Sequence, residues 1–308
     1  MILLLGCSGL HPWNLAPVIL DVRKDFGDAP DPGLAMVMPD VVIEPYEEAI
    51  YCFFGTYEGE TMGVDYLMPF DTDEYVHHNQ LKTPLGDTLE DGEVLDCTYT
   101  SEMTDFAPLI ESVGVTAEEV PEKGWLDMPE GMAMRFEQGT KWVLETHYIN
   151  ATDKRILANS AIHLGFVDPD EVDTWVSPWE FDSGTLDLPP DGEVSVSFDC
   201  EWPEATNLLS VLGHMHELGT SFQVEWIRDG ESTMLYEVEE WKVEYKDEPV
   251  VQNHEPGEIQ IEAGDIFRTT CTWQNDGPDN VNFPEEMCTA VGSIYPREEP
   301  IRCINGEF

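Results

Sequence analysis

Short runs in which apolar and polar residues alternate recur along the whole chain. They include 194–198 (VSVSF), 222–227 (FQVEWI) and a more apolar run at 141–148 (KWVLETHY). Alternation with a period of two is the pattern of a β-strand with one buried face. Long stretches of helical periodicity are missing, and 24 glycines and 22 prolines supply turns between the runs. The pattern therefore predicts an all-β protein.

One stretch, residues 104–125, departs from this alternation and is predicted to be helical. Within it, 116–119 (TAEE) has the form of a capping box, and Pro121 would end the helix early. It is the one helical interruption that the pattern predicts.

The length of 308 residues suits two domains, each large enough for a core of its own. Residues 167–192 are rich in Asp, Pro and Trp and make a natural boundary. We therefore predict two consecutive antiparallel, jelly-roll-like β-sandwich domains at 35–166 and 167–308, after an N-terminal tether at 1–34. The run 228–230 (RDG) predicts a hairpin turn in the second domain.

The segment 211–219 (VLGHMHELG) joins two strand-like runs and is predicted to form a hairpin or its corner. Side chains two residues apart in a strand point to the same face, so His214 and His216 are expected to project together. Such a pair is either half of a metal site or surface decoration. Glu217 beside it could orient an imidazole or cap the turn.

Further candidate ligands lie elsewhere in the chain. His147 is in mid-strand, whereas His77 and His78 are adjacent, so both can reach one ion only if the backbone bends there. Imidazole suits several metals, but the thioether of Met287 is a soft ligand that favours Cu(I). A site of three histidines and a site of two histidines with one methionine would suggest two copper ions of different character.

The remaining histidines have ordinary explanations. His163 is expected to be a plain strand residue, and His11 belongs to the tether. His254 is expected to be a solvated loop residue, with a role in supporting a site or contacting substrate as the alternative.

The chain carries 63 acidic and 14 basic residues, for a net charge of −49. Such a surface repels phosphate and anionic lipid head groups, which disfavours nucleic acid as a partner. The charge is spread along the whole sequence and points to no single site. It is typical of a surface adapted to salty water, with binding of counter-cations as the alternative.

The chain has seven cysteines. Cys7 follows a short apolar run at 2–6 (ILLLG) and resembles the lipidated cysteine of a bacterial lipobox. The other six lack Cys-x-x-Cys spacing and suit three disulfides, for which fifteen pairings are open. No other segment reaches the ~20 apolar residues of a membrane span. We therefore predict an extracytoplasmic protein, secreted or lipid-anchored through Cys7 at a bacterial envelope.

Four motifs occur in an order that resembles a known enzyme family. They are 76–78 (VHH), 144–148 (LETHY), 214–219 (HMHELG) and 285–288 (EEMC). This order is similar to that of the copper type II, ascorbate-dependent monooxygenases, to which dopamine β-monooxygenase and peptidylglycine α-hydroxylating monooxygenase belong. The resemblance extends from about Tyr51 to Cys303, nearly the whole body of the chain.

The resemblance implies a role for each candidate ligand. An electron-storing copper would be held by His77, His78 and His147. The catalytic centre, a second copper that binds dioxygen, would be held by His214, His216 and Met287. The implied reaction is hydroxylation of a C–H bond of a small organic substrate, with ascorbate or a similar reductant as co-substrate. The family also implies three disulfides, which are Cys52–Cys97, Cys200–Cys303 and Cys271–Cys288.

Some positions depart from the family pattern. Asn79 stands where the family usually has Met, and Leu212 and Val291 stand where the peptide-type enzyme has the Arg and Tyr that grip a peptide carboxylate. These departures disfavour a peptidylglycine substrate. The alternatives to an enzyme are a non-catalytic copper-binding extracytoplasmic lipoprotein and a β-sandwich binding module with one filled copper site.

Overall fold

The structure is a computed structural model that describes residues 19–70, 75–84, 90–97, 106–110, 126–246, 249–283 and 285–308. The side chains of residues 77, 78, 84, 106–110, 126 and 127 lie outside this description. Cys7 and the first part of the predicted tether, residues 1–18, lie outside it, as does the capping box at 116–119. The described part of the tether contains β1 and the start of β2.

The described residues form 26 strands. The N-terminal half, up to residue 166, contains the first thirteen of them, and the last of these ends one residue beyond it. They are β1 (Ile19–Asp21), β2 (Gly33–Val37), β3 (Val41–Ile43), β4 (Glu48–Thr56), β5 (Met62–Phe70), β6 (Val76–Pro84), β7 (Val94–Asp96), β8 (Phe106–Ile110), β9 (Leu126–Asp127), β10 (Met132–Phe136), β11 (Lys141–Ile149), β12 (Arg155–Ala158) and β13 (Ala161–Val167).

The C-terminal half, from residue 167, contains the others. They are β14 (Thr174–Asp182), β15 (Asp187–Leu188), β16 (Gly192–Glu201), β17 (Thr206–Leu208), β18 (Ser210–His214), β19 (Gly219–Arg228), β20 (Glu231–Val238), β21 (Gln252–Asn253), β22 (Ile259–Ile261), β23 (Ile266–Asn275), β24 (Val281–Asn282), β25 (Thr289–Tyr295) and β26 (Ile301–Ile304). Two short 3₁₀ turns, Pro169–Glu171 and Val243–Lys246, are also present.

The strands form sheets that stack in the manner of β-sandwiches, so the all-β prediction is confirmed. A 12-stranded sheet follows the path β2-β13-β5-β10-β14-β25-β17-β22, with β9, β18, β21 and β26 attached beside it. The five-stranded sheet has the order β7-β4-β11-β6-β8, and the four-stranded sheet the order β16-β23-β19-β20. Most neighbouring strands are antiparallel; β1–β12, β10–β14 and β14–β26 are parallel pairs.

The predicted helix at 104–125 is wrong where the structure describes it. Residues 106–110 form strand β8, which pairs with β6 at the edge of the five-stranded sheet. Pro108 fits this place, because an edge strand has one side on which no backbone donor is needed. Pairing with β6 supplies the backbone partners, which the local pattern could not reveal.

The turn predicted at 228–230 is confirmed. It joins β19 to β20, and φ is 53° at Asp229 and 82° at Gly230. Two successive positive φ values match the right-handed twist of a two-residue hairpin, and Asp-Gly accepts that conformation readily.

A large cluster of buried aromatic side chains fills the C-terminal half. It includes Trp179, Phe181, Trp202, Phe222 and Phe267, each at most 1% exposed. Burial of side chains of this kind contributes roughly 1.5–3 kcal/mol each before entropy is counted. This cluster lies under the sheet that carries the candidate ligands of this half.

A second buried cluster contains residues of both halves. Met134 of the N-terminal half packs in the same cluster as Val176, Leu209 and Tyr295 of the C-terminal half. The 12-stranded sheet also crosses from one half to the other, through the parallel pair β10–β14. The domain boundary at residue 167 stays a prediction, and both the sheet and this cluster extend across it.

The six cysteines after Cys7 form the three disulfides that the resemblance implied. They are Cys52–Cys97, Cys200–Cys303 and Cys271–Cys288. Several disulfides in one chain are typical of an oxidising, extracytoplasmic environment. Within the part of the chain that the structure describes, no helix has the length and apolar character needed to cross a membrane.

Candidate functional site

The backbone bends at the two adjacent histidines of the N-terminal half. Along β6 and β11, His78 lies opposite His147, but the next pair is Val76 with Tyr148. His77 is therefore an extra residue on β6, which is the definition of a β-bulge. A bend of this kind is needed if His77 and His78 are to bind the same ion. The contacts of their side chains lie outside the described residues.

His147 is buried in the middle of β11, with 4% of its surface exposed. Its Nε2 lies 2.9 Å from Oε1 of Glu48, on the neighbouring strand β4. A carboxylate that accepts from one imidazole nitrogen fixes the ring and leaves ligation to the other. In His147 that other atom is Nδ1.

An ion pair holds β6 to β11 next to His147. Nζ of Lys82 lies 2.8 Å from Oε1 of Glu145, and these side chains are 12% and 1% exposed. Glu145 and His147 are two residues apart in one strand, so they lie on the same face of the sheet. The pair therefore links the two strands on the face that carries His147.

In the C-terminal half, the predicted pair of histidines does project together. The imidazole rings of His214 and His216 have centroids 5.1 Å apart and planes at 86°. His214 is the last residue of β18, and His216 lies just beyond the strand. Since β18 pairs with β25 and β21, and β19 with β20 and β23, the segment is a corner between two sheets.

The orientation of the His216 ring is set by a backbone carbonyl. Nδ1 of His216 lies 2.9 Å from the carbonyl oxygen of Glu285. A carbonyl can only accept, so Nδ1 carries the proton and Nε2 presents its lone pair. In the neutral ring, this tautomer leaves Nε2 available to a metal.

The turn at 216–218 is held by a buried carboxylate that the sequence analysis did not single out. Glu286 is 1% exposed and accepts hydrogen bonds from the backbone N–H groups of His216, at 3.0 Å, and Leu218, at 2.6 Å. It also accepts from Nε1 of Trp273 at 3.0 Å. Burial raises the pKa of Glu286, and these hydrogen bonds oppose the rise.

Glu217, for which two roles were open, has a different partner. Its Oε1 lies 2.8 Å from Nζ of Lys246, and its side chain is 56% exposed. The signal for Glu286 was present in the motif at 285–288, where an acidic residue lies two positions before Cys288. Its importance depends on a contact with residues about 70 positions away in the sequence, which no local pattern contains.

Met287 is fixed on both sides by its neighbours. Glu286 is bonded to the 216–218 turn, and Cys288 forms the disulfide with Cys271. Two residues after Met287, Thr289 lies opposite His214 across β18 and β25. The chain segment that carries the thioether therefore lies beside the segment that carries both imidazoles.

The donors of this second set suit copper. Two imidazoles and a thioether are ligands of the kind that stabilise Cu(I). Within the described residues, no group of three or more His, Cys, Asp and Glu side chains is arranged to hold a metal ion. The set of His214, His216 and Met287 contains only two side chains of those four types, so it does not make such a group. In the first set, the side chains of His77 and His78 lie outside the described residues.

The sheet face that carries His214 extends across β25 to β14. Thr289 lies opposite His214, and Asp182 lies opposite Thr289. Oγ1 of Thr289 donates a hydrogen bond to Oδ1 of Asp182 at 3.1 Å, and burial raises the pKa of that carboxyl. A polar row, buried at Thr289 and Asp182, therefore continues from the imidazole across the sheet.

The next row on this face is partly apolar. Leu212 and Val291, which stand where the peptide-type enzyme has Arg and Tyr, are cross-strand partners, and Glu180 lies opposite Val291. Burial raises the pKa of Glu180, whereas the charges of Arg302 and Lys82 lower it. Lys82 belongs to the face that carries His147, so its charge acts on a carboxyl of the second ligand-bearing face.

The chain has no match among models of protein families or among curated protein sequences. Solved structures with some likeness to it include the infectious bursal disease virus VP2 subviral particle, at 8% identity and a TM-score of 0.24, over 89% of this chain and 74% of that one. The Gx strain of that virus is another, at 8% identity and a TM-score of 0.20, over 86% and 72% of the two chains. At TM-scores this low the likeness carries no argument.

Proposed function

We propose that this protein is a copper-dependent monooxygenase that hydroxylates a C–H bond of a small organic substrate, with dioxygen and a reductant such as ascorbate. The observation that carries the proposal is the arrangement around His216. Its ring lies beside that of His214, its Nδ1 donates to Glu285, and the Met287 segment is fixed next to it. The order of the four sequence motifs supports the same assignment.

The chain would contribute two ligand sets. His214, His216 and Met287 would hold the copper that meets dioxygen, and His77, His78 and His147 would hold an electron-storing copper. Copper bound at these sites would supply one-electron redox chemistry toward dioxygen. Glu285 and Glu48 orient imidazoles of the two sets, at 2.9 Å in each case. Val291, which is partly exposed, would give the substrate an apolar contact in the row next to His214, where buried Leu212 is its cross-strand partner.

The proposed location is outside the cytoplasm, where the protein is secreted or lipid-anchored through Cys7. The three disulfides support an oxidising compartment. The net charge of −49 supports a compartment of high ionic strength.

The ligand assignment is tested with Met287→Ala. We expect wild-type protein to bind two Cu(I) ions, to give an infrared band with carbon monoxide from the methionine-containing site, and to consume oxygen when reductant and a substrate are present. The variant should lose the carbon monoxide band and the oxygen consumption but keep its thermal unfolding midpoint. Met234→Ala is the matched control, because Met234 is 44% exposed on β20.

Three outcomes separate the hypotheses. Full activity in Met287→Ala would remove that residue from the catalytic centre. Binding of two copper ions without oxygen consumption across a broad panel of amines and amides would favour the non-catalytic copper-binding protein. Binding of a single copper ion would favour the binding module.

A further inference from the structure

The turn that carries His216 is organised by Glu286. One carboxylate oxygen, Oε2, accepts from the backbone N–H of His216 at 3.0 Å and from the indole of Trp273 at 3.0 Å. The other, Oε1, accepts from the backbone N–H of Leu218 at 2.6 Å. None of the three donors carries a charge. Burying a carboxylate costs free energy, and these three neutral donors are what compensates the cost here. The loss of any one of the three hydrogen bonds is therefore expected to be unfavourable.

The two backbone bonds fix the main chain on both sides of Glu217. They restrain residues 216–218, and the bond from Trp241 Nε1 to the carbonyl oxygen of His216, at 3.2 Å, adds a third restraint. The preceding residue, Glu285, fixes the His216 ring through its own carbonyl. Consecutive residues of the 285–288 loop therefore hold both the backbone and the imidazole of His216.

The same loop carries the thioether. Met287 follows Glu286 directly, and Cys288 ties the loop to Cys271, two residues before Trp273 on β23. The bonds of the Glu286 carboxylate therefore connect the turn that carries His216 to the residue next to Met287. Ligand sets keep their geometry when surrounding hydrogen bonds hold them, and loss of such bonds weakens metal binding.

We infer that Glu286 is a positioning residue that sets the geometry between the His216 imidazole and the Met287 thioether. It acts through the backbone of the turn and through its own chain neighbour, without contacting metal or substrate. The inference rests on the proposed function, because it assigns Glu286 to the copper centre that this function requires.

The test compares Glu286→Gln with Glu217→Gln. The first variant keeps the size of the side chain but offers one acceptor oxygen and turns an amide N–H₂ group toward a backbone donor. The second makes the same chemical change one residue from His216, at an exposed carboxylate whose partner is Lys246. In metal-free protein, we expect faster hydrogen exchange at the 216 and 218 amides in Glu286→Gln only.

The copper-loaded proteins give the second measurement. In Glu286→Gln, Cu(I) affinity at the methionine-containing site should fall by about 10–100-fold, and the carbon monoxide band should shift and broaden. Loading of the three-histidine site should stay unchanged, and Glu217→Gln should match wild type. Equal Cu(I) affinity and equal bands in the two variants would overturn the inference.

Two controls keep the test decisive. If Glu286→Gln also loses the three-histidine site, it has failed to fold, and Glu286→Asp replaces it, because the shorter side chain keeps the charge but cannot reach both backbone N–H groups. A shifted carbon monoxide band in Glu286→Asp supports the inference, and an unchanged band overturns it. If wild type and Met287→Ala give the same band, the proposed function fails, independently of Glu286.

Discussion

The imidazole of His163 is enclosed in the 12-stranded sheet. The residue is 2% exposed on β13, and its ring centroid lies 4.6 Å from that of Phe70. Nε2 is buried and has no hydrogen-bond partner among the described residues. Burial lowers the pKa of His163, and the charge of Asp28 opposes the shift. The folded state therefore favours the neutral ring.

His163 should make stability depend on pH. Its pKa is lower in the folded state than the ordinary value of about 6.5, so the unfolded chain takes up a proton first as the pH falls. This group therefore lowers the free energy of unfolding progressively from neutral toward acid pH. In His163→Leu, urea unfolding of metal-free protein should show a smaller loss of stability between pH 8 and pH 5 than in wild type. Identical losses would contradict the argument.

Single residues were predictable where neighbours in the sequence decide their environment. The common direction of His214 and His216 followed from their spacing, and the ordinary strand position of His163 from its flanking residues. His254 does lie in a loop, just after β21, but the solvation expected for it is wrong, because its side chain is 5% exposed and its backbone N–H bonds to the carbonyl of Leu209 at 2.7 Å. Contacts between distant parts of the chain decide the environment of His254, and they also explain why Glu286 was missed.

At the scale of elements, the Lys82–Glu145 pair joins two strands of the first ligand set. Lys82 lies opposite Val143, and Glu145 lies opposite Gln80, so the charges meet on a diagonal between β6 and β11. Removing one partner of a buried pair leaves an uncompensated charge, which is worse than removing both.

Lys82→Met should therefore cost about 3–5 kcal/mol of unfolding free energy. The double variant Lys82→Met with Glu145→Leu should recover most of that loss. Arg268→Met is the control, because Arg268 and Asp199 form an exposed pair, at 43% and 42% side-chain exposure, worth under ~1 kcal/mol. Urea unfolding gives the free energy of unfolding of all three variants. If Lys82→Met lies within about 1 kcal/mol of wild type, the value of a surface pair, the Lys82–Glu145 pair is not buried in solution.

Strand positions were predictable, but their partners were not. Alternation identified β11, β16 and β19, and the Asp-Gly turn identified the β19–β20 hairpin. Pairing depends on residues far apart in the chain, so the choice of a corner over a hairpin at His214 and the edge position of β8 emerged only in three dimensions. The bulge at His77 was required by the metal hypothesis, and alternation alone gave no sign of it.

At the scale of the whole molecule, the net charge of −49 dominates. Self-repulsion destabilises the compact state, and salt reduces its range, from about 10 Å at 0.1 M to about 3 Å at 1 M ionic strength. We expect the thermal unfolding midpoint to rise between 0.1 and 1 M salt (the Debye range above), equally for KCl and NaCl. A strong preference for one cation would favour counter-cation binding, and a midpoint that does not rise would contradict both interpretations.

The sheet that continues from β2 to β22 limits how the molecule can move. Swinging the halves apart at the β10–β14 junction would break backbone hydrogen bonds and expose the cluster around Leu209 and Tyr295. Hinge opening between the two halves is therefore not expected. A bound substrate would therefore meet the two parts of this continuous sheet at a fixed separation, so its own shape, and not closure of the protein around it, would decide how well it fits.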